Sequence, residues 1–109
     1  MRLGMSLYAD NIGEKINTFE FADYIETNIP DGPMTELEPH RDRIKVIHLP
    51  DLNNRCHEKL VRAFELGIEK AVVHYFTFKE AAPEWKIAEL RILTTFAEKN
   101  GIKLCLENT

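Results

Sequence analysis

Ile102-Lys103-Leu104-Cys105-Leu106-Glu107-Asn108-Thr109 has the grammar of a buried strand that ends in a carboxylate. Two earlier stretches are built alike, Ile44-Lys45-Val46-Ile47-His48 and Ala71-Val72-Val73-His74. Each is a short apolar run that closes on a side chain able to ligate a metal. Parallel strands that end this way bring those side chains to one rim of the sheet. That rim, at the carboxyl ends of the strands, is where α/β folds place their active sites.

The segments between these strands carry helical patterns. Asn53 or Asn54 is placed to cap a helix with Cys56, Leu60, Ala63, Phe64 and Leu66 on its apolar side, and Gly67 supplies its end. Pro83 stands where a first helical turn accepts proline. Trp85, Ile87, Leu90, Leu93, Phe96 and Ala97 then form an apolar face, and Asn100-Gly101 stops it. Toward the N-terminus, Leu3–Tyr8 reads as a strand and residues 11–17 as a short helix. Residues 21–28 read as a second strand, halted by Pro30-Asp31-Gly32-Pro33. Residues 34–43, interrupted by Pro39, predict a loop or a single helical turn. Strands alternating with amphipathic helices imply an α/β fold with a parallel sheet and right-handed crossovers. The repeated β-α grammar is that of a (β/α) barrel, with five of the eight strands such a barrel needs.

The 109 residues suit one domain with an ordinary core. Hydrophobic content of 44%, charged content of 29% and a net charge of -4 describe a globular protein with no general attraction for nucleic acid or an anionic membrane. His40, Arg41, Arg43 and Lys45 form the one basic cluster and read as a solvated loop leading into a strand. Cys56 and Cys105 belong to no C-x-x-C pair. They read as buried free thiols, which fits a reducing cytoplasm. No apolar run approaches the roughly 18 residues that span a bilayer. The apolar part of the N-terminus is too short for a signal peptide. No glycine-rich phosphate loop and no G-x-S-x-G elbow occurs.

The candidate chemistry therefore rests on the strand ends. His48 and His74 lie 26 residues apart, one β-α unit, so their imidazoles can face each other across neighbouring strands. Each alone is explained by a hydrogen bond to a backbone carbonyl. As a pair at the same point of successive strands they suit zinc, manganese or iron(II). Glu107 follows Leu104-Cys105-Leu106 and, if buried, needs a cation or a hydrogen-bond network. Glu26 and Asn28 end the second strand and can line the same rim, although turn and capping roles also explain them. Tyr75 and its neighbours Phe76 and Phe78 can wall a small-molecule pocket or pack in a core.

His48-Leu49-Pro50, His74 and Leu106-Glu107-Asn108-Thr109, in this order after three strands, resemble the xylose isomerase-like TIM barrels. That superfamily holds sugar and sugar-phosphate isomerases and epimerases and also endonuclease IV. The resemblance implies a divalent metal ion (Zn, Mn or Mg) held by Glu107 with His48 and His74, and an acid/base role for Glu107. It implies contacts from Glu26, Tyr75 and Asn108 to a sugar or sugar phosphate. An endonuclease IV-like zinc phosphodiesterase is the alternative, opposed by the acidic charge balance. The family's remaining metal ligands come from strands six to eight. The expectation is therefore a single partial TIM-barrel domain over residues 1–109. It would be completed by homo-oligomerisation or by a complementing chain, or be a non-catalytic half-barrel.

Overall fold

The computed structural model describes residues 3–50, 52, 55–74 and 84–107. Five strands and three α-helices follow in the order β1 (Gly4–Ser6), α1 (Ile12–Lys15), β2 (Tyr24–Asn28), β3 (Ile44–His48), α2 (Cys56–Glu65), β4 (Lys70–His74), α3 (Glu84–Asn100) and β5 (Lys103–Glu107). Short 3-10 turns flank α1, and one at Glu38–His40 is the only regular piece between β2 and β3 among the described residues. The irregular link expected there is what forms. β1, β2 and β5 are shorter than the runs that announce them, β3 matches its run, and β4 begins one residue earlier, at Lys70.

All pairings are parallel, and the strands lie in chain order, β1-β2-β3-β4-β5. Each crossover moves one strand further in the same direction. Right-handed crossovers that never reverse put every connecting segment on one face of the sheet. The core follows from this. Thr27, Ile47, Ala71 and Leu104 are register partners across β2 to β5. Ile47 and Ala71 are fully buried in one cluster with Ile12 and Ile16 of the first helical segment, Leu60 and Ala63 of α2, and Leu93 and Ala97 of α3. Burial of an isoleucine such as Ile47 contributes about 1.5–3 kcal/mol.

The two long helices end in the same way. Gly67 and Gly101 have φ of 88° and 71°, the left-handed region in which a Cβ is disfavoured. One residue later, the amides of Ile68 and Ile102 donate back to the carbonyls of Ala63 and Ala97, at 3.0 and 2.9 Å. This six-to-one bond is the Schellman closure. It turns the chain sharply into β4 and β5 and so helps set their register.

Several sequence expectations are corrected. Trp85 is 54% exposed and Ile87 is also exposed, so the apolar face of α3 narrows to Leu93 and Ala97, with Leu90 and Phe96 half-buried. Phe64 is exposed as well, although its ring meets Phe96 edge-on at 5.9 Å across α2 and α3. The last strand is not buried: it is an outer strand, Leu106 is 47% exposed and Cys105 is half-buried. Arg43 is not simply solvated, because its guanidinium donates to the carbonyls of Ile16 and Ala22 and ties the loop before β3 to the segment before β2. Arg55 precedes α2 with no side-chain cap. Asn53, Asn54 and Pro83, expected at helix starts, lie outside the described residues.

Gly67→Ala and Gly101→Ala should each lower stability by about 1–2 kcal/mol in urea unfolding, the cost of a Cβ in the left-handed region. Gly32→Ala, where an added methyl meets open space, should be neutral or slightly stabilising. Equal losses at all three positions would contradict the conformational account.

Candidate functional site

Strand pleating decides which side chains can meet. On the face opposite the helical core, Asn28, His48, Val72 and Cys105 form one row of register partners. Glu26 lies one pleat below this row, paired with Val46. His74 and Glu107 lie one pleat above, paired with each other. A diagonal thus climbs from Glu26 through His48 to His74 and ends level at Glu107, crossing four adjacent strands. It lies at the carboxyl ends of the strands, as expected from the sequence.

Side-chain contacts follow this diagonal. His48 Nε2 stands 3.1 Å from Glu26 Oε2. The His48 and His74 rings stack at 6.4 Å between centroids, with planes 26° apart. His74 Nε2 stands 3.6 Å from Glu107 Oε2, beyond ordinary hydrogen-bond reach. His74 Nδ1 is buried and has no hydrogen-bond partner among the described residues. The three side chains singled out from the sequence are therefore in one line, and Glu26 joins them. Asn28 has a different task, since its Oδ1 accepts the Ala9 amide at 2.9 Å and pins the loop after β1. Tyr75 and Asn108 lie outside the described residues.

The four side chains group as two imidazole–carboxylate pairs. Among the described residues, no three His, Cys, Asp or Glu side chains converge as a ready-made metal cluster. The chemistry of each pair nevertheless suits a divalent ion. Two donors at roughly 2.1 Å from one zinc ion, at a tetrahedral angle, stand about 3.4 Å apart. The observed separations of 3.1 and 3.6 Å bracket that value. An ion between His74 Nε2 and Glu107 Oε2 would take the Nε2 lone pair and leave the ring proton on Nδ1. The mixed nitrogen and oxygen donor set suits zinc, manganese or iron(II).

Beside His48 the rim opens into a cleft of about 420 Å³, lined among others by Tyr8, Asn28, Asp31, Arg55 and Lys59. Its cationic wall escaped the sequence reading. Asp31 Oδ1 accepts from Lys59 Nζ at 2.6 Å and from Arg55 Nη2 at 2.5 Å. Lys59 Nζ also donates to the Ile29 carbonyl at 2.7 Å, so the polar end of a buried side chain is answered from both sides. Arg62 holds the Pro30 and Gly32 carbonyls. The signal was present: Arg55, Lys59 and Arg62 are spaced four and three apart, one face of a helix. In sequence, the Pro30–Pro33 stretch reads only as a stop. The Lys59 hydrogen bond, then the Lys59 and Arg55 charges, hold the Asp31 carboxyl below its ordinary value of 3.8.

Compared with protein-family models, curated protein sequences and solved structures, the chain matches none. No helix among the described residues is long and apolar enough to cross a membrane.

A carboxyl whose folded pKa is lowered adds stability that is in full force above the ordinary value of 3.8 and is lost as the pH falls through the lowered one. Lys59→Met keeps the aliphatic stem and removes the charge. It should therefore destabilise the fold at pH 7, and the gap to wild type should narrow in urea melts taken below 3.8. A gap that stays constant with pH would rule out the Asp31–Lys59 pair as its source.

Proposed function

We propose that this chain forms the metal-binding rim of a xylose isomerase-like (β/α) barrel and serves an isomerase or epimerase acting on a sugar or sugar phosphate. The observation that carries the reading is the His74–Glu107 pair, two donors at level register on adjacent parallel strands, 3.6 Å apart at the carboxyl rim. The unreversed strand order supports a barrel rather than a doubly wound sheet, because a doubly wound sheet reverses direction at a switch point. The outer strands β1 and β5 are then met by further strands or by a second copy of the chain.

His74 and Glu107 hold the ion, and His48 with Glu26 forms the neighbouring donor pair. When bound, a divalent ion polarises the adjacent carbonyl and hydroxyl oxygens of the substrate as a Lewis acid. A Glu107 carboxylate oxygen accepts the proton from the carbon beside the carbonyl and returns it to the same or the adjacent carbon. With no ion between them, His48 Nε2 and Glu26 Oε2 stand at hydrogen-bond distance, 3.1 Å, and hold each other's orientation. The cleft beside His48 gives the rest of the substrate a place to lie. A phosphodiesterase acting on DNA is the weaker reading, because a net charge of -4 opposes a polyanionic substrate.

Titration calorimetry with zinc and manganese chloride tests the site. His74→Ala and Glu107→Gln should each weaken binding by more than about tenfold, the loss that even an outer partner of a ligand produces, with unchanged circular dichroism. Wild-type affinity in both variants would end the reading, as would a wild-type chain that binds neither metal. Incubation of aldose and ketose phosphates with metal-loaded protein in D2O should introduce deuterium beside the carbonyl, detectable by proton NMR. A non-catalytic half-barrel would leave those signals intact.

A further inference from the structure

We propose that the cleft beside His48 seats the phosphate group of a phosphorylated substrate on Arg55 and Lys59, and that the Asp31 carboxylate occupies this seat until the substrate arrives. The proposal rests on the reading of the rim as the reaction site, and it narrows the substrate class to phosphate monoesters. Position is the first argument. His48 belongs both to the diagonal of candidate ligands and to the wall of the cleft. A small ligand can therefore reach from the rim to the cations while remaining in one continuous depression.

Charge is the second argument. Arg55 and Lys59 are four residues apart and converge on a single acceptor atom, Asp31 Oδ1, at 2.5 and 2.6 Å. The two cations thus meet at one carboxylate oxygen. A phosphate monoester carries about -1.5 to -2 at neutral pH and offers three strong acceptors. It can give each cation its own oxygen. Arginine is well suited to such a ligand because its planar fork fits phosphate oxygens in pairs.

Exchange is the third argument. The Asp31 side chain is 68% exposed, so its carboxylate returns to water with little loss of solvation. The loop does not depend on it. Lys59 holds the Ile29 carbonyl, and Arg62 holds the carbonyls of Pro30 and Gly32. The backbone around Asp31 therefore stays anchored when the carboxylate leaves. A carboxylate needed only as a clamp would duplicate three backbone contacts already made.

The test is a titration of the purified chain with inorganic phosphate, in buffer containing a chelator, followed by calorimetry and by amide chemical shifts around residues 29–32 and 55–59. Asp31→Asn removes the internal competitor and should tighten phosphate binding by about tenfold, while Arg55→Ala should weaken it by a similar factor. Unchanged or weaker binding in Asp31→Asn overturns the proposal, as does wild-type affinity in Arg55→Ala. If Asp31→Asn fails to fold, Arg55→Ala alone decides. Glu107→Gln should leave phosphate affinity untouched in this metal-free assay. Loss of the metal reading and loss of the phosphate seat are thus separately visible.

Discussion

The parallel crossover, repeated without a change of direction, is the constraint from which the rest of this molecule follows. It places the strands in chain order and the helices on one side. The two faces of the sheet then obey different rules. Ile47, Ala71 and Val73 meet helices and are fully buried. Glu26, His48, His74 and Glu107 point the other way, where no helix of the described chain covers them, and remain partly exposed. Titratable side chains are tolerated within a parallel sheet because that face is open. Both faces of a doubly wound sheet are covered, and the same four residues there would pay the full cost of desolvation.

Much of this arrangement was legible in the sequence. Short apolar runs ending in His48, His74 and Glu107 reported strands, and the spacing of one β-α unit reported that they are neighbours. Gly67 and Gly101 reported helix ends, because few other residues accept the conformation they hold. What was not legible depends on tertiary position. The period of α3 marks Trp85, Ile87 and Leu93 alike as apolar. Only packing decides that Leu93 enters the core and Trp85 does not. Leu104-Cys105-Leu106 has the composition of a central strand, yet among the described residues it forms the outer one, paired with β4 alone. Composition reports what a strand can bury and not how many partners it has.

The site divides in the same way. His74 and Glu107 are register partners, so strand ends alone suffice to bring them together. Glu26 meets His48 through stagger: its register partner is Val46, and the contact runs diagonally across one pleat. No one-dimensional spacing encodes that offset, which follows from a register shift between Ile25 and Glu26. The Asp31 cluster is harder still. Its carboxylate lies in a turn whose proline and glycine explain the turn completely, and its cations lie just before and within a helix that begins more than twenty residues later.

Backbone bonding explains why the rim can hold a defined geometry even though its side chains are partly exposed. The Leu49 amide donates to the Val72 carbonyl, and the Leu52 amide donates to the His74 carbonyl at 3.0 Å. The chain leaving β3 is thereby fastened along the end of β4, directly beside the residue whose imidazole faces Glu107. Cys56 Sγ reaches the Pro50 carbonyl, which ties the same segment to the start of α2. On the other flank, Asn28 holds the Ala9 amide and Leu7 donates to the Glu26 carbonyl. The loops on either side of His48 are thus held by bonds that use none of the rim's imidazoles or carboxylates. The imidazoles and carboxylates are left to accept a ligand, because the fold does not depend on them to hold its loops in place.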